Sequence, residues 1–229
     1  MEFEPFLRKI GVASFADETL IRQAFTHRSY VNEHREEQIE HNERLEFLGD
    51  AVLELVMTDF LFHKYPEATE GELTAYRAAL VNTISISDAA DKLGMNEYLR
   101  LSKGEAKDTG RARQYILANT FEAFIGALYL DQGYDGAKQF IADNLFYKTD
   151  EMVAKRLWQD PKSRFQELSQ EKESVTPSYE LLEERGPDHD KVFVSGVFLN
   201  EELIAQGEGN SKQEAEQAAA EAALAAKGW

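Results

Sequence analysis

The stretch Asn42-Glu43-Arg44-Leu45-Glu46-Phe47-Leu48-Gly49-Asp50-Ala51-Val52-Leu53-Glu54 decides how the first part of this chain folds. At 100° per residue, Glu43, Glu46, Asp50 and Glu54 fall at about 0°, 300°, 340° and 20°, so four carboxylates share one narrow helical stripe. Leu45, Leu48, Val52 and Leu55 occupy the opposite face, the one expected to enter a core. Like charges at these spacings repel by a few tenths of a kcal/mol per pair. With no Lys interleaved, the stripe is either a solvated face of an acidic protein or the seat of a cation. Phe47 projects near about 40°, beside the acids and off the leucine face. Such a ring either lies under a loop or plugs into a partner chain.

A second segment, Tyr115–Leu130, is apolar nearly all round, the mark of a buried helix, and its strong polar groups are Asn119, Thr120 and Glu122. A carboxylate in such a helix is costly unless it is paired or holds a metal. Asn119 and Glu122 stand at i and i+3, on one face, where they could meet the stripe of the first helix. The alternative for Glu122 is a salt bridge to a buried Arg or Lys. Carboxylate and amide oxygens without His or Cys are hard ligands that favour magnesium or manganese over zinc. A metal in such a setting activates water and clamps phosphate in phosphodiester chemistry.

Around these two helices the apolar spacing stays helical from Glu18 to Ala154, with breaks at 32–42, 65–71 and 103–113. The pattern restarts at Asp160-Pro161-Lys162-Ser163, a helix-start signal. Beyond it come a helix at 164–173, short strands at 178–184, 192–199 and 202–206, and an alanine-rich helix at 212–227. The expected architecture is an all-α domain at 1–148, a linker at 149–159 and a small α+β module of order α-β-β-β-α at 160–229.

The chain has 229 residues, enough for about one and a half to two domains. A composition of 43% hydrophobic and 29% charged residues excludes wholesale disorder. The 25 basic and 42 acidic residues leave a net charge of −17, which by itself argues against a nucleic-acid binder. Zero cysteines exclude disulfides, thiolate zinc sites, iron–sulfur clusters and a cysteine nucleophile. The first residues lack the features of a signal peptide, and no run approaches the roughly 18 apolar residues of a membrane span, so a cytoplasmic protein with no membrane partner is expected.

Residues 42–53, NERLEFLGDAVL, resemble the signature of the ribonuclease III family, and 117–131, LANTFEAFIGALYLD, resemble its second acidic block. AFTHRSY at 24–30 and EGELTAYRAALV at 70–81 resemble two further stretches of the nuclease domain. Residues 160–226 are similar to a double-stranded RNA-binding domain, from DPKSRFQEL to GEGNSKQEAEQAAAEAAL. The resemblance implies a homodimeric, magnesium-dependent endonuclease, with manganese a possible substitute. It would cut double-stranded RNA to 5′-phosphate and 3′-hydroxyl ends with short 3′ overhangs. Ribosomal RNA precursors and structured messengers are the implied substrates. By the same resemblance Glu46, Asp50, Asn119 and Glu122 are metal positions, with Asp50 and Glu122 catalytic, and Glu43 and Glu70 are accessory acids of the cleft. Phe47 matches the aromatic that enters a socket on the partner subunit. Asn119 departs from the Asp that bacterial members often carry; an amide oxygen ligates a metal but brings no charge.

For the module, the resemblance marks Ser163, Gln166 and Glu167 on its first helix as duplex contacts. Pro187 and His189 lie in the loop that reaches a second minor groove. Asn210, Ser211, Lys212 and Gln213 open the last helix, where amides and dipole favour phosphate. The family usually has a further Lys or Arg where Gln213 stands. Between Asp160 and Trp229 there are 7 basic and 15 acidic residues, a net −8, so steering toward RNA should be poor and the salt dependence shallow. Lys103, Lys107, Arg111 and Arg113 form one basic segment, either a phosphate contact or an ordinary solvated loop. The rival readings are a non-catalytic RNA-binding protein disabled at Asn119, and a helical metal-binding or interaction domain that never meets RNA.

Overall fold

The computed structural model describes residues 3–187 and 191–229, which divide into two compact units at Trp158/Gln159. The first unit is helical. It comprises α1 (Glu4–Lys9), α2 (Glu18–Ala24), α3 (Arg28–Glu33), α4 (Glu43–Lys64), α5 (Glu70–Val81), α6 (Thr83–Leu93), α7 (Arg111–Leu145) and α8 (Thr149–Ala154). α5 opens with a reciprocal capping box, in which Thr69 Oγ1 accepts from the Glu72 amide and the Glu72 carboxylate accepts from the Thr69 amide. α7 breaks at Gly133, whose φ of 75° suits glycine. Ahead of that break it is the central helix expected from its sequence: Phe121, Phe124, Ile125, Ala127 and Leu128 are fully buried.

Two expectations change. Leu55, placed on the core face of α4, is 57% exposed. At about 120° it lies outside the buried face, which runs from Val52 at about 180° through Leu45, Val56 and Leu53 to Met57 at about 320°, rotated toward the acids. The segment expected to be a linker is structured in its first half: α8 buries Thr149 and Met152, and Trp158 stacks edge-on against Tyr76 at 5.0 Å. The large side chains of Met152 and Trp158 dock it.

The second unit has the expected order: α9 (Pro161–Glu173), β1 (Ser178–Arg185), β2 (Val192–Leu199), β3 (Glu202–Gly209) and α10 (Lys212–Lys227). The strands form an antiparallel sheet of order β1-β2-β3, with Tyr179, Val197 and Ala205 in register. Phe165 of α9, Val197 and Leu199 of β2 and Ala219, Ala220, Ala223 and Leu224 of α10 make its core. The alanines let α10 lie against the sheet, as their small volume predicts.

Candidate nuclease site

α4 and α7 cross almost backbone to backbone. A Cβ on Gly49 would fall on the Glu122 carbonyl and 2.8 Å from the Gly126 amide nitrogen; one on Gly126 would meet the Leu45 carbonyl and stand 3.1 Å from the Gly49 nitrogen. Two glycines facing each other are therefore what allows the acid-bearing helices to approach. These glycines lie inside both decisive segments, and the sequence reading passed over them. Their signal is a residue poor in helix propensity kept in the middle of two long helices.

The crossing brings Glu46, Asp50 and Glu122 into one electrostatic group. The Glu122 carboxyl is pushed up to about 8, first by burial, then by the negative charges of Asp50 and Glu46. Burial, followed by Glu43 and Asp50, raises Glu46, while a hydrogen bond from Asn119 pulls it back. Asp50 is raised by burial and by Glu54. The charges that act on Glu122 are thus both negative, which removes the alternative of a salt bridge to a buried cation. Asn119 reaches the same group through Glu46.

Among the described residues no three His, Cys, Asp or Glu side chains converge as a formed metal cluster. The donors themselves fit a hard divalent cation: all are oxygens, and their combined charge lacks a counter-ion. Glu43 lies at the margin of the group, with Arg28 at 3.6 Å and His41 at 3.8 Å from its carboxylate. Glu70 lies at the start of α5, where its Oε1 accepts from Thr74 Oγ1 at 3.2 Å. Phe47 is 83% exposed, outside the core of its own unit as its angular position predicted.

In the second unit Ser163, Gln166 and Glu167 are exposed on one face of α9, and Pro187 is exposed at the end of the strand-linking loop. His189 lies outside the described residues. At the start of α10, Ser211 Oγ accepts from the Glu214 amide at 3.1 Å, and the Glu214 carboxylate accepts from the Asn210 amide at 3.0 Å. The Asn210 amide is thus engaged by a carboxylate of the chain, while Lys212 and Gln213 remain exposed beside it. Of the basic segment, Arg113 is structural, donating to Asn96 Oδ1 and to the Glu105 carbonyl, each at 2.7 Å.

A family model described as Ribonuclease-III-like matches residues 17–149, and the double-stranded RNA binding motif matches 161–227. The chain belongs to the ribonuclease III family. It is 51% identical over 223 residues to a Ribonuclease 3 of Geobacillus sp. (strain WCH70), covering 97% of this chain and 90% of that protein. It is 50% identical over 222 residues to a Ribonuclease 3 of Bacillus cereus (strain G9842), again covering 97% of this chain and 90% of the relative. A crystal structure of the ribonuclease III nuclease domain from Campylobacter jejuni, studied for flexibility in a region involved in dimer formation, matches with a TM-score of 0.55 and 37% identity. That match covers 62% of this chain and 97% of the other. As a ribonuclease III this chain is a double-strand-specific endoribonuclease, and double-stranded RNA is its partner. Among the described residues no helix is long and apolar enough to cross a membrane.

Proposed function

We propose that the α4–α7 crossing is the catalytic centre, where Glu46, Asp50, Asn119 and Glu122 hold magnesium, or manganese in its place. Asp50 and Glu122 stand closest to the chemistry. The observation that carries this reading is the Glu122 carboxyl, half-buried among like charges and lifted to about 8. Functional groups held at such cost are typical of sites that bind or react. When bound, the cation supplies charge neutralisation on the phosphodiester and acidifies the attacking water. Asn119 donates to Glu46 and so orients a carboxylate that repulsion would otherwise turn away. The rigid glycine crossing fixes the separation of the two helices, and with it the positions of the acids. Glu43 and Glu70 are accessory acids of the cleft. The products are 5′-phosphate and 3′-hydroxyl ends with short 3′ overhangs. Cytoplasmic ribosomal RNA precursors and structured messengers are the substrates.

The working form in this reading is a homodimer. Phe47 and Leu55 are 83% and 57% exposed and follow one side of α4 next to the acid stripe. Beside Phe47 lies a cavity of about 670 Å³ walled by Leu20, Leu48 and Leu130. A ring and an apolar cavity on the same patch are what a two-fold, self-complementary contact requires. In the second unit, Ser163, Gln166 and Glu167 with Pro187 and His189 hold the duplex by its minor grooves. Asn210, Ser211, Lys212 and Gln213 face phosphate there. The test is cleavage of an end-labelled RNA duplex with magnesium, with calcium and with EDTA, beside Glu122→Ala. Magnesium-dependent cutting to short staggered duplexes that the substitution abolishes is expected. Binding without cutting under every metal would favour the non-catalytic reading, with Asn119→Asp the next protein to make.

A further inference from the structure

Along α4 the acid row continues past Glu54 to Thr58, whose Oγ1 donates to the Glu54 carbonyl at 2.7 Å and accepts from Arg77 Nη1 at 2.8 Å. Arg77 has no carboxylate within ion-pair range among the described residues, although acids outnumber bases 42 to 25 in this chain. Glu70 shares a cavity of about 480 Å³ with it, yet the Glu70 carboxylate is engaged by Thr74. The remaining walls include Phe62 and Leu73. A guanidinium has five N–H donors, of which Thr58 takes one; the fork suits a phosphate, and the apolar walls suit a ribose. Thr58 lies eight residues beyond Asp50, about 12 Å along the helix at 1.5 Å per residue. A strand lying on the acids and following α4 in that direction arrives at Arg77.

We propose that Arg77 is a phosphate-binding residue that grips the substrate strand at a phosphodiester near the one being cut. This rests on the catalytic reading of the α4–α7 crossing. It explains how a chain of charge −17 holds RNA beside a row of acids: a cation clamped by a hydroxyl, with its charge unspent on its own carboxylates.

The experiment compares full-length wild type, Arg77→Met and Arg77→Lys. Met preserves the unbranched stem that lines the cavity; Lys keeps the charge and loses the fork. Three quantities are measured: steady-state cleavage of a labelled RNA duplex with magnesium, duplex affinity against salt in a Glu122→Gln background, and sedimentation mass. Arg77→Met is expected to raise KM on the order of tenfold with little change in kcat, and to lower the salt slope by about one per subunit, at unchanged mass. Arg77→Lys should keep the wild-type salt slope and recover part of KM, a result that stands even if the Met variant folds poorly. Wild-type KM and salt slope in both variants overturn the proposal. A fall in sedimentation mass also overturns it, because Arg77 would then serve a contact between subunits. Wild type that binds the duplex without cutting defeats the catalytic reading, while the salt slopes still decide the role of Arg77. Wild type that does not bind the duplex at any salt defeats both.

Discussion

Carboxylates where α4 crosses α7 and carboxylates of the C-terminal unit belong to units of similar net charge, yet their surroundings differ in kind. In the second unit Glu216 meets Lys162 at 2.6 Å, Glu173 meets Lys227 at 2.7 Å and Glu208 meets Arg185 at 2.6 Å. Asp160 accepts from the Ser163 amide at 3.0 Å and from Gln217 at 3.1 Å. At the crossing, by contrast, the groups pressing on Glu122 are Asp50 and Glu46. A net charge therefore says little about where chemistry lies; at the crossing Glu46 has the Asn119 amide as a donor, while the charges acting on Asp50 and Glu122 are all negative. The paired acids of the module add modestly to its stability, whereas the like charges of the crossing oppose folding.

The largest effect that sharpens this contrast is expected from Glu122→Gln. Cleavage should drop on the order of 10³-fold, since a half-buried charged group at the reacting centre is lost. The metal-free protein should at the same time melt higher above pH 8, because the amide needs no proton. A variant that loses activity and stability together would break the account. Next comes Gly49→Ala, whose methyl group would land on the Glu122 backbone. Forcing α4 and α7 apart should cost about 1–3 kcal/mol or more in chemical denaturation, with activity falling too, whereas Ala218→Gly on α10 should leave cleavage untouched.

The titration of Glu122 has a definite sign. Its carboxyl stands near 8 in the folded chain against an ordinary 4.5, so the folded state keeps a proton that the unfolded chain gives up. Metal-free stability should consequently fall as pH rises from about 4.5 to 8, at up to about 1.4 kcal/mol per pH unit for one proton. Thermal melts of wild type against Glu122→Gln across that window measure it, and a wild-type curve no steeper than that of the variant contradicts the assignment. The smallest effect belongs to Glu214→Gln, which retains a capping side chain at α10 but removes a charge from the end that faces phosphate. Duplex affinity should rise a few-fold in a gel-shift assay, with folding stability nearly unchanged.

The elements of both units were legible because their patterns are local. The strands at 192–199 and the helix at 212–227 have the bounds that alternation and helix-start signals mark. The acid stripe and the exposure of Phe47 followed from helical angles alone. What periodicity could not supply was distance between segments far apart in sequence. The closeness of Gly49 to Gly126 depends on tertiary packing, whereas the Glu214 cap is local, its Ser211-x-x-Glu214 pattern standing in the sequence itself. α8 falls within the helical spacing that runs to Ala154, but its six residues carry too little pattern to distinguish a docked turn from a tether.

The central claim, that the unanswered acids at the crossing exist to hold a divalent cation, is tested most directly by titrating magnesium into the metal-free full-length protein at pH 8 and following its melting temperature. Wild type should be stabilised progressively with saturation, and Glu122→Gln should show little or no shift at the same concentrations. An equal shift in both proteins, or none in wild type, would contradict the claim.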